Sequence, residues 1–410
     1  MNIAVDSHLI QDRVARKIRT YLSEIIAFRR DLHQNPELAF QEKRTSNLVV
    51  SHLASYGYQI EHGIAGTGIV ATLKKGDGDR VIGLRADMDA LPITEATGLD
   101  YASRNKGVMH ACGHDGHTAI LLAAARYLAD FSSFDGTVRL IFQPAEEIGA
   151  GAKKLLAEGL FERFPVDAVF GLHNWPDVPA GSFGFVSGPV MASVDQAYIK
   201  VVGKGSHGAE PHRGVDPVLA SASLITALQS IVSRNVDPRD MAVITVGSIH
   251  GGSASNVIPE SVELKLTVRT FNEAVRQQLS QRIPALAKAQ AESFGARAEV
   301  EYRFGFPSVL NHVAETAFAR KVALQTFGEE RVIADFQPRT ASEDFAFLLQ
   351  ARPGSYLFVG NGDSAPLHSA DYNFNDDIIL PAALYWVRLV ESYLSSPSSS
   401  VTVEKVLRHD

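Results

Sequence analysis

The chain has a single cysteine, Cys112, in 410 residues, so no intramolecular disulfide can form. That favours a reducing compartment. No stretch approaches the roughly 18 continuous apolar residues that a membrane helix needs. Residues 1–11 lack a basic segment followed by an apolar run, which argues against a secretory signal and for a cytoplasmic protein. An excess of positive charge is also missing: the formal net charge is −7. That removes the electrostatic footprint expected of a protein that binds nucleic acid or an anionic membrane. Repeats are absent, and low complexity is confined to 395–400, read as the start of a frayed tail. What is present is a globular composition, 45% hydrophobic and 21% charged, together with 14 histidines whose placement matters. This length suggests about two domains.

The first part alternates strand-like and helix-like patterns. Helices are expected at 12–32, 117–129 and 152–160, and strands at 67–74, 80–85, 137–142 and 166–172. Such alternation predicts an α/β domain with a largely parallel mixed sheet between helices. The middle reads strand 196–202, helix 216–233, strands 241–249 and 257–270, a long helix 273–294 broken near Pro284, and strand 297–304. That β-α-β-β-α-β order is the ferredoxin-like pattern. The chain then returns to a helix at 314–326, a strand at 355–359 and a last helix at 381–394. The expected organisation is a discontinuous catalytic domain, 1–187 and 305–410, with a lid domain, 188–304, inserted into it.

At four places a strand pattern runs out and metal-ligand residue types follow. These are Asp87 and Asp89, Glu146 and Glu147, His173, and a Gly-rich loop leading to His368. Sites in open α/β sheets lie beyond the carboxyl ends of the strands. A fifth segment, Met109-His110-Ala111-Cys112-Gly113-His114-Asp115-Gly116-His117, precedes a helix. Taken singly, each has a bland explanation. Cys112 would be a small buried hydrophobe. His173 or His368 would be a polar residue at a strand end, the two glutamates a solvated pair, and the two aspartates turn formers. Taken together, they suit zinc or another late first-row metal. Cys112 and His114 lie two apart, a spacing that converges in an extended segment and not on a helix. Amide hydrolysis would make sense of the set. Two cations acidify a water and polarise a carbonyl. One of two adjacent glutamates can bind metal while the other moves the proton.

The motifs as a set resemble the aminoacylase, hippurate hydrolase and auxin-conjugate hydrolase branch of the dinuclear metallopeptidases. They run in order along nearly the whole chain: Arg30 to Leu38, Leu84 to Pro92, Met109 to Thr118, Gln143 to Glu147, and Gly171 to Asn174. They continue with Gly203 to Gly208, Asn256 to Pro259, Ser342 to Phe345, and Leu367 to Ser369. The resemblance implies metal ligands at Cys112, His114, Glu147, His173 and His368, with Cys112 bridging where other branches use aspartate. It implies Glu146 as general base. His207 corresponds to a lid histidine that helps bind the oxyanion, in some relatives across a dimer interface. Asn256 and Arg269 correspond to positions that hold the substrate's carbonyl or carboxylate, and a guanidinium fork suits the latter.

The chain departs from the pattern in two places. Arg85 replaces the histidine of the His-x-Asp used by some branches, so Asp87 is expected to support a ligand or steer Glu146 rather than bind metal. Ala341 stands where relatives often carry glycine, which leaves Glu343 and Asp344 without an assigned role. Asp115 falls outside the ligand set. His33, His110 and His117 are expected to be structural. His8, His52, His62, His212, His250, His312 and His409 are expected at the surface. The implied reaction is hydrolysis of small N-acyl amino acids to a carboxylate and a free amino acid. It uses two divalent ions per subunit (Zn, Mn, Co or Ni) in a homodimer formed through the lid. A dipeptidase or an N-carbamoyl amino acid hydrolase would share this chemistry. A non-catalytic binder would have no need of Glu146.

Overall fold

A computed structural model describes residues 12–395. His8 and His409, and most of the Ser/Pro stretch, lie outside them. The chain divides into two compact units. The first takes the described residues through Phe185, then Ala317–Ala334, then those from Arg352 on. The second is Val186–Thr316 with Asp335–Ala351. The inserted unit is therefore longer than the expected 188–304, and it also recruits a later segment. No helix among the described residues is long and apolar enough to cross a membrane.

In the first unit, a seven-stranded sheet has the order Gln59–Ile64, Gly68–Lys75, Gly136–Gln143, Val81–Asp87, Ala168–Pro176, Gly354–Gly362, Phe183–Gly184. The four strands from Gly136–Gln143 to Gly354–Gly362 run parallel. The three remaining pairings are antiparallel. "Largely parallel" thus holds for the centre alone. The flanking strands Gln59–Ile64 and Phe183–Gly184 have little hydrophobic pattern of their own. The central strands are buried along almost their whole length, as strands covered on both faces are. The helix His114–Asp130 lies against Val81–Asp87 and also packs on Ile379–Tyr393 and Leu22–Gln34. Leu84, Phe142, Phe170, Leu357 and Trp386 lie in the resulting core. Because the four central strands are parallel, their carboxyl ends share one edge of the sheet. The expected helix at 12–32 is two helices, Arg13–Arg19 and Leu22–Gln34, with Asp12 capping the first through Val14 N and Ala15 N.

The second unit has a four-stranded antiparallel sheet, ordered Ala242–Gly251, Ser261–Thr270, Ser193–Val202, Arg297–Phe306. Burial alternates strictly along Ser193–Val202, so one face is covered. The helices Pro217–Asn235 and Glu273–Glu292 cover it, closing a core around Leu224, Ile231, Leu264 and Ile283. Two expectations fail here. The strand at 257–270 is interrupted by Pro259 into Val257–Ile258 and Ser261–Thr270. The helix at 273–294 is not broken, because Glu273–Glu292 runs through Pro284. Proline removes one helical hydrogen bond. Buried Leu279, Ile283, Ala287 and Ala291 hold both halves of that helix on the sheet.

Candidate metal centre

The parallel strand ends deliver the side chains. Asp87 is the last residue of its strand, and Asp89 follows two residues later. Glu146 and Glu147 follow Gln143. His173 lies inside its strand rather than after it, because pairing with Gly354–Gly362 continues to Pro176. His368 comes from the loop after Gly362. Cys112 and His114 are set by Gly113, at φ 93°, which ends the extended segment and starts the helix at His114. A Cβ on Gly113 would sit 2.3 Å from Asn174 Oδ1 and 2.8 Å from Tyr372 Oη, so only glycine fits.

The donor atoms converge. Cys112, His114 and His173 form one group with ligand atoms within 4.8 Å of one another, and Cys112, Glu147 and His368 form another. Cys112 is common to both. Its Sγ lies 3.4 Å from His173 Nε2. His368 Nε2 is 3.4 Å from Glu147 Oε2. Glu146 joins His114 and Glu147 in a third such group.

The ring nitrogens facing away from this point are anchored. His114 Nδ1 donates to Asp89 O at 2.9 Å, and His173 Nδ1 donates to Asn174 O at 2.6 Å. Each Nε2 is thereby turned inward, the usual way a ligating imidazole is oriented. His114 Nε2 and Glu147 Oε1 are buried, have no hydrogen-bond partner, and lie 3.8 Å apart. Unpaired buried polar atoms are costly, and a shared cation would satisfy both. The charges point the same way. Burial, then Glu147, Glu146 and Asp87, push the Cys112 thiol well above its ordinary value. Burial alone would lower His114, but Asp87, Asp89 and Glu147 outweigh it and hold that imidazole at about 10. A cation would replace this proton and relieve the crowding of acids. The residues therefore fit divalent metal.

Asp87 is engaged by two neighbours, and with His114 and His117 it forms a further group of converging donor atoms. Arg85 Nη1 donates to its Oδ2, and His117 Nδ1 donates to its Oδ1 at 2.6 Å. Burial would raise it, but His114, Arg85 and His117 keep it well below the usual carboxylate range. Asp115 is likewise taken up, by His33 and Arg29. His33, His110 and His117 are all buried. Of the supposed surface histidines, His52 is half-buried with its ring edge-on to Phe28. Two loop residues carry strain: Ala145 at φ 54° and His368 at φ 63°. That conformation costs a non-glycine residue about 1–2 kcal/mol, and such strain gathers at functional loops.

Two further residues belong to this centre: Asp89, a strand-end acid to which the sequence pattern gives no role, and Glu42, which that pattern passes over. Asp89 accepts from Glu147 N through Oδ2, besides holding His114. Glu42, fully buried, accepts from Ala145 N at 2.9 Å.

Residues 83–392 match the family described as Peptidase family M20/M25/M40. Hippurate hydrolase of Campylobacter jejuni is 43% identical over 371 residues, covering 90% of this chain and 97% of that protein. The chain belongs to the M20 family. N-acetyl-L-cysteine deacetylase of Bacillus subtilis is 42% identical, covering 93% of this chain and 91% of its own length. A Bacillus subtilis crystal structure described as a dinuclear metal binding peptidase of M20 is 35% identical. It covers 92% of this chain and 99% of its own, with a TM-score of 0.81. Like these M20 relatives, the chain is a metal-dependent hydrolase of amide bonds.

In the second unit, His207 and Asn256 are neighbours. Ser206–His207 pairs with Val257–Ile258, and Gly208 N donates to Asn256 O at 2.7 Å. Both side chains are exposed. Arg269 is not with them. It lies near the far end of Ser261–Thr270, where its Nη1 donates to Thr340 O and Ser342 Oγ. Glu343 and Asp344 are buried beside that segment, and Glu343 Oε1 accepts from Phe345 N. Ala341 is not among the residues with positive φ, so the missing glycine imposes no strain.

Proposed function

We propose that this protein hydrolyses the amide bond of small N-acyl amino acids, releasing a carboxylate and a free amino acid. The observation that carries the proposal is Glu146 beside Glu147 at a point where cysteine, histidine and carboxylate donors converge. The names of the M20 relatives supply the substrate class. Cys112, His114, Glu147, His173 and His368 would hold two divalent cations, with Cys112 shared because it belongs to both donor groups. Bound there, the cations supply an acidified water and Lewis-acid polarisation of the acyl carbonyl. The thiolate and imidazoles favour Zn, with Mn, Co and Ni compatible with the same set.

The chain's own residues divide the remaining work. Glu146 takes the water's proton and returns it to the leaving nitrogen. Asp87 holds His117 in place, and Asp89 holds His114. His207 and Asn256 bind the oxygen that becomes negative as the carbonyl is attacked. Arg269 receives the substrate's carboxylate. The test of the reaction is a panel of N-acetyl, N-benzoyl, dipeptide and N-carbamoyl substrates, run with each metal. Turnover should be highest on the N-acyl amino acids. A preference for dipeptides or carbamoyl compounds would overturn the substrate class and leave the metal chemistry standing.

The second unit, ferredoxin-like in element order, is proposed as both lid and dimerisation domain. From Ser261 to Arg269 the strand runs about 26 Å at the usual rise. His207 and Asn256 lie beyond its Ser261 end. One lid therefore cannot bring all three residues to one small substrate, and His207 and Asn256 would serve the site of a second copy. The two sheet edges differ accordingly. Arg297–Phe306 carries Arg297, Glu299, Glu301 and Arg303, the charges that keep an edge unpaired. Ala242–Gly251 has no Asp, Glu, Lys or Arg, and it leads directly towards Asn256. The helix beside it, Pro217–Asn235, has no charged residue before Arg234 and exposes Val218 and Leu219. Mixing inactive His207→Ala protein with inactive Glu146→Ala protein should restore about a quarter of wild-type activity, because half the dimers are mixed and each has one intact site. No recovery after subunit exchange would mean that each lid serves its own chain.

A further inference from the structure

We propose that Glu42 and Asp89 form a carboxylate clamp on the backbone either side of Glu146, and that both are positioning residues for the proton transfer. The inference rests on the reading of Glu146 as general base. Glu42 Oε1 accepts from Ala145 N at 2.9 Å, and Asp89 Oδ2 accepts from Glu147 N at 3.0 Å. The amides on the two sides of Glu146 are thus each held by a carboxylate that is itself buried.

Both carboxylates are anchored elsewhere. Glu42 also accepts from Phe40 N and from the Thr67 hydroxyl, at 2.9 and 2.6 Å. Asp89 reaches His114 Nδ1 through its own carbonyl and Oδ1. Three separate segments therefore fix one turn. Glu42 immediately precedes the helix Lys43–Ser55, yet its side chain makes no cap bond to that helix. Its carboxylate is spent entirely on loop amides and a hydroxyl.

The clamped turn needs this support. Ala145 sits at φ 54°, a conformation that L-residues leave unless the surroundings enforce it. On its far side, Gly149 N donates to Glu146 O, and Gly151 N to Ala145 O. Gly151 is pressed so close to Pro144 O that a Cβ would meet it at 1.7 Å. Without Glu42, the buried Ala145 amide loses its acceptor and the strained residue loses its restraint. The peptide then turns, and Glu146 turns with it. Glu147 keeps its own tether to Asp89, so the loss falls on proton transfer more than on metal binding.

The test compares Glu42→Ala, Glu42→Gln and Glu42→Asp in the metal-loaded enzyme. Glu42→Ala should lower kcat by about 100-fold, the scale of displacing a reacting group by an ångström. KM and the two equivalents of bound metal should be retained. Glu42→Gln keeps an oxygen for both amides and an amide for Thr67, and should recover most of the loss. Glu42→Asp withdraws the carboxylate by one methylene. Should the alanine variant not fold, Glu42→Asp takes its place and must lower kcat at unchanged metal content. A variant whose activity falls only in step with lost metal or lost folded protein overturns the proposal, as does a glutamine variant no better than alanine. Combining Glu42→Ala with Glu146→Asp separates this inference from the one beneath it. If Glu42 acts through Glu146, the two effects fall well short of multiplying. Full multiplication removes the clamp and leaves the base. An active Glu146→Ala removes the base.

Discussion

Replacing Glu146 with alanine should leave a protein that still binds metal and substrate but turns over about 10³-fold more slowly, within the range that a positioned acid–base group contributes. The geometry sets both halves of this result. Glu147 is in contact with His368 and holds an unpaired oxygen 3.8 Å from His114 Nε2. Removing Glu146 therefore takes no atom from the two Cys112-centred donor groups. Glu147 also keeps its backbone tether to Asp89. The measurements are kcat, KM and metal content on the same preparation. The acid limb of the kcat/KM profile, where the base is protonated, should vanish in the variant. Activity within tenfold of wild type, or metal lost in parallel with turnover, would remove Glu146 from its role.

Cys112→Ala should cost both ions, and with them at least about 10³-fold in turnover at micromolar metal. His368→Ala should weaken one. The difference follows from membership: Cys112 belongs to both donor groups and His368 to one. Metal titration with a chromogenic competitor reads the two stoichiometries directly. Cys112→Asp supplies a carboxylate at the same place and should restore two-ion binding. An alanine variant that keeps one ion at wild-type affinity would show that Cys112 does not bridge.

Much of this cluster is legible in the sequence because its donor side chains lie near the ends of parallel strands, and strand ends can be found from apolar runs. His173 was recognised although its strand continues through it to Pro176, since the residue type spoke louder than the boundary. Arg85, standing where some branches carry a metal-binding histidine, is what sets Asp87 apart in the sequence, and in the structure Arg85 Nη1 donates to Asp87 Oδ2.

Glu42 was invisible for a physical reason. In Gln41-Glu42-Lys43-Arg44 it reads as one charge among several on a solvated helix start. Beyond the nearby Phe40 N, it is the distant Thr67 and Ala145 that make it a buried acceptor. Its one local sign is an acid before a helix whose side chain does not cap it, and a sequence cannot display that. Asp89 stands out as an acid at a strand end, but the sequence does not show that its carboxylate holds the Glu147 amide. Pro284 misled in the other direction. A local breaker lost to burial along the rest of its helix. The separation of Arg269 from His207 was also out of reach without strand register, although both residues had been singled out.

The proposed ligands come from a loop at Cys112, a turn at Glu147, a strand at His173 and a second loop at His368, each on a different stretch of chain. Ions joining them would act as cross-links across very long loops, and closing a long loop restricts an unfolded chain more than closing a short one. The same atoms that prepare the reaction would therefore fasten the edge of the sheet together. Metal supply in the surroundings would then govern how long the folded chain survives as well as how fast it works.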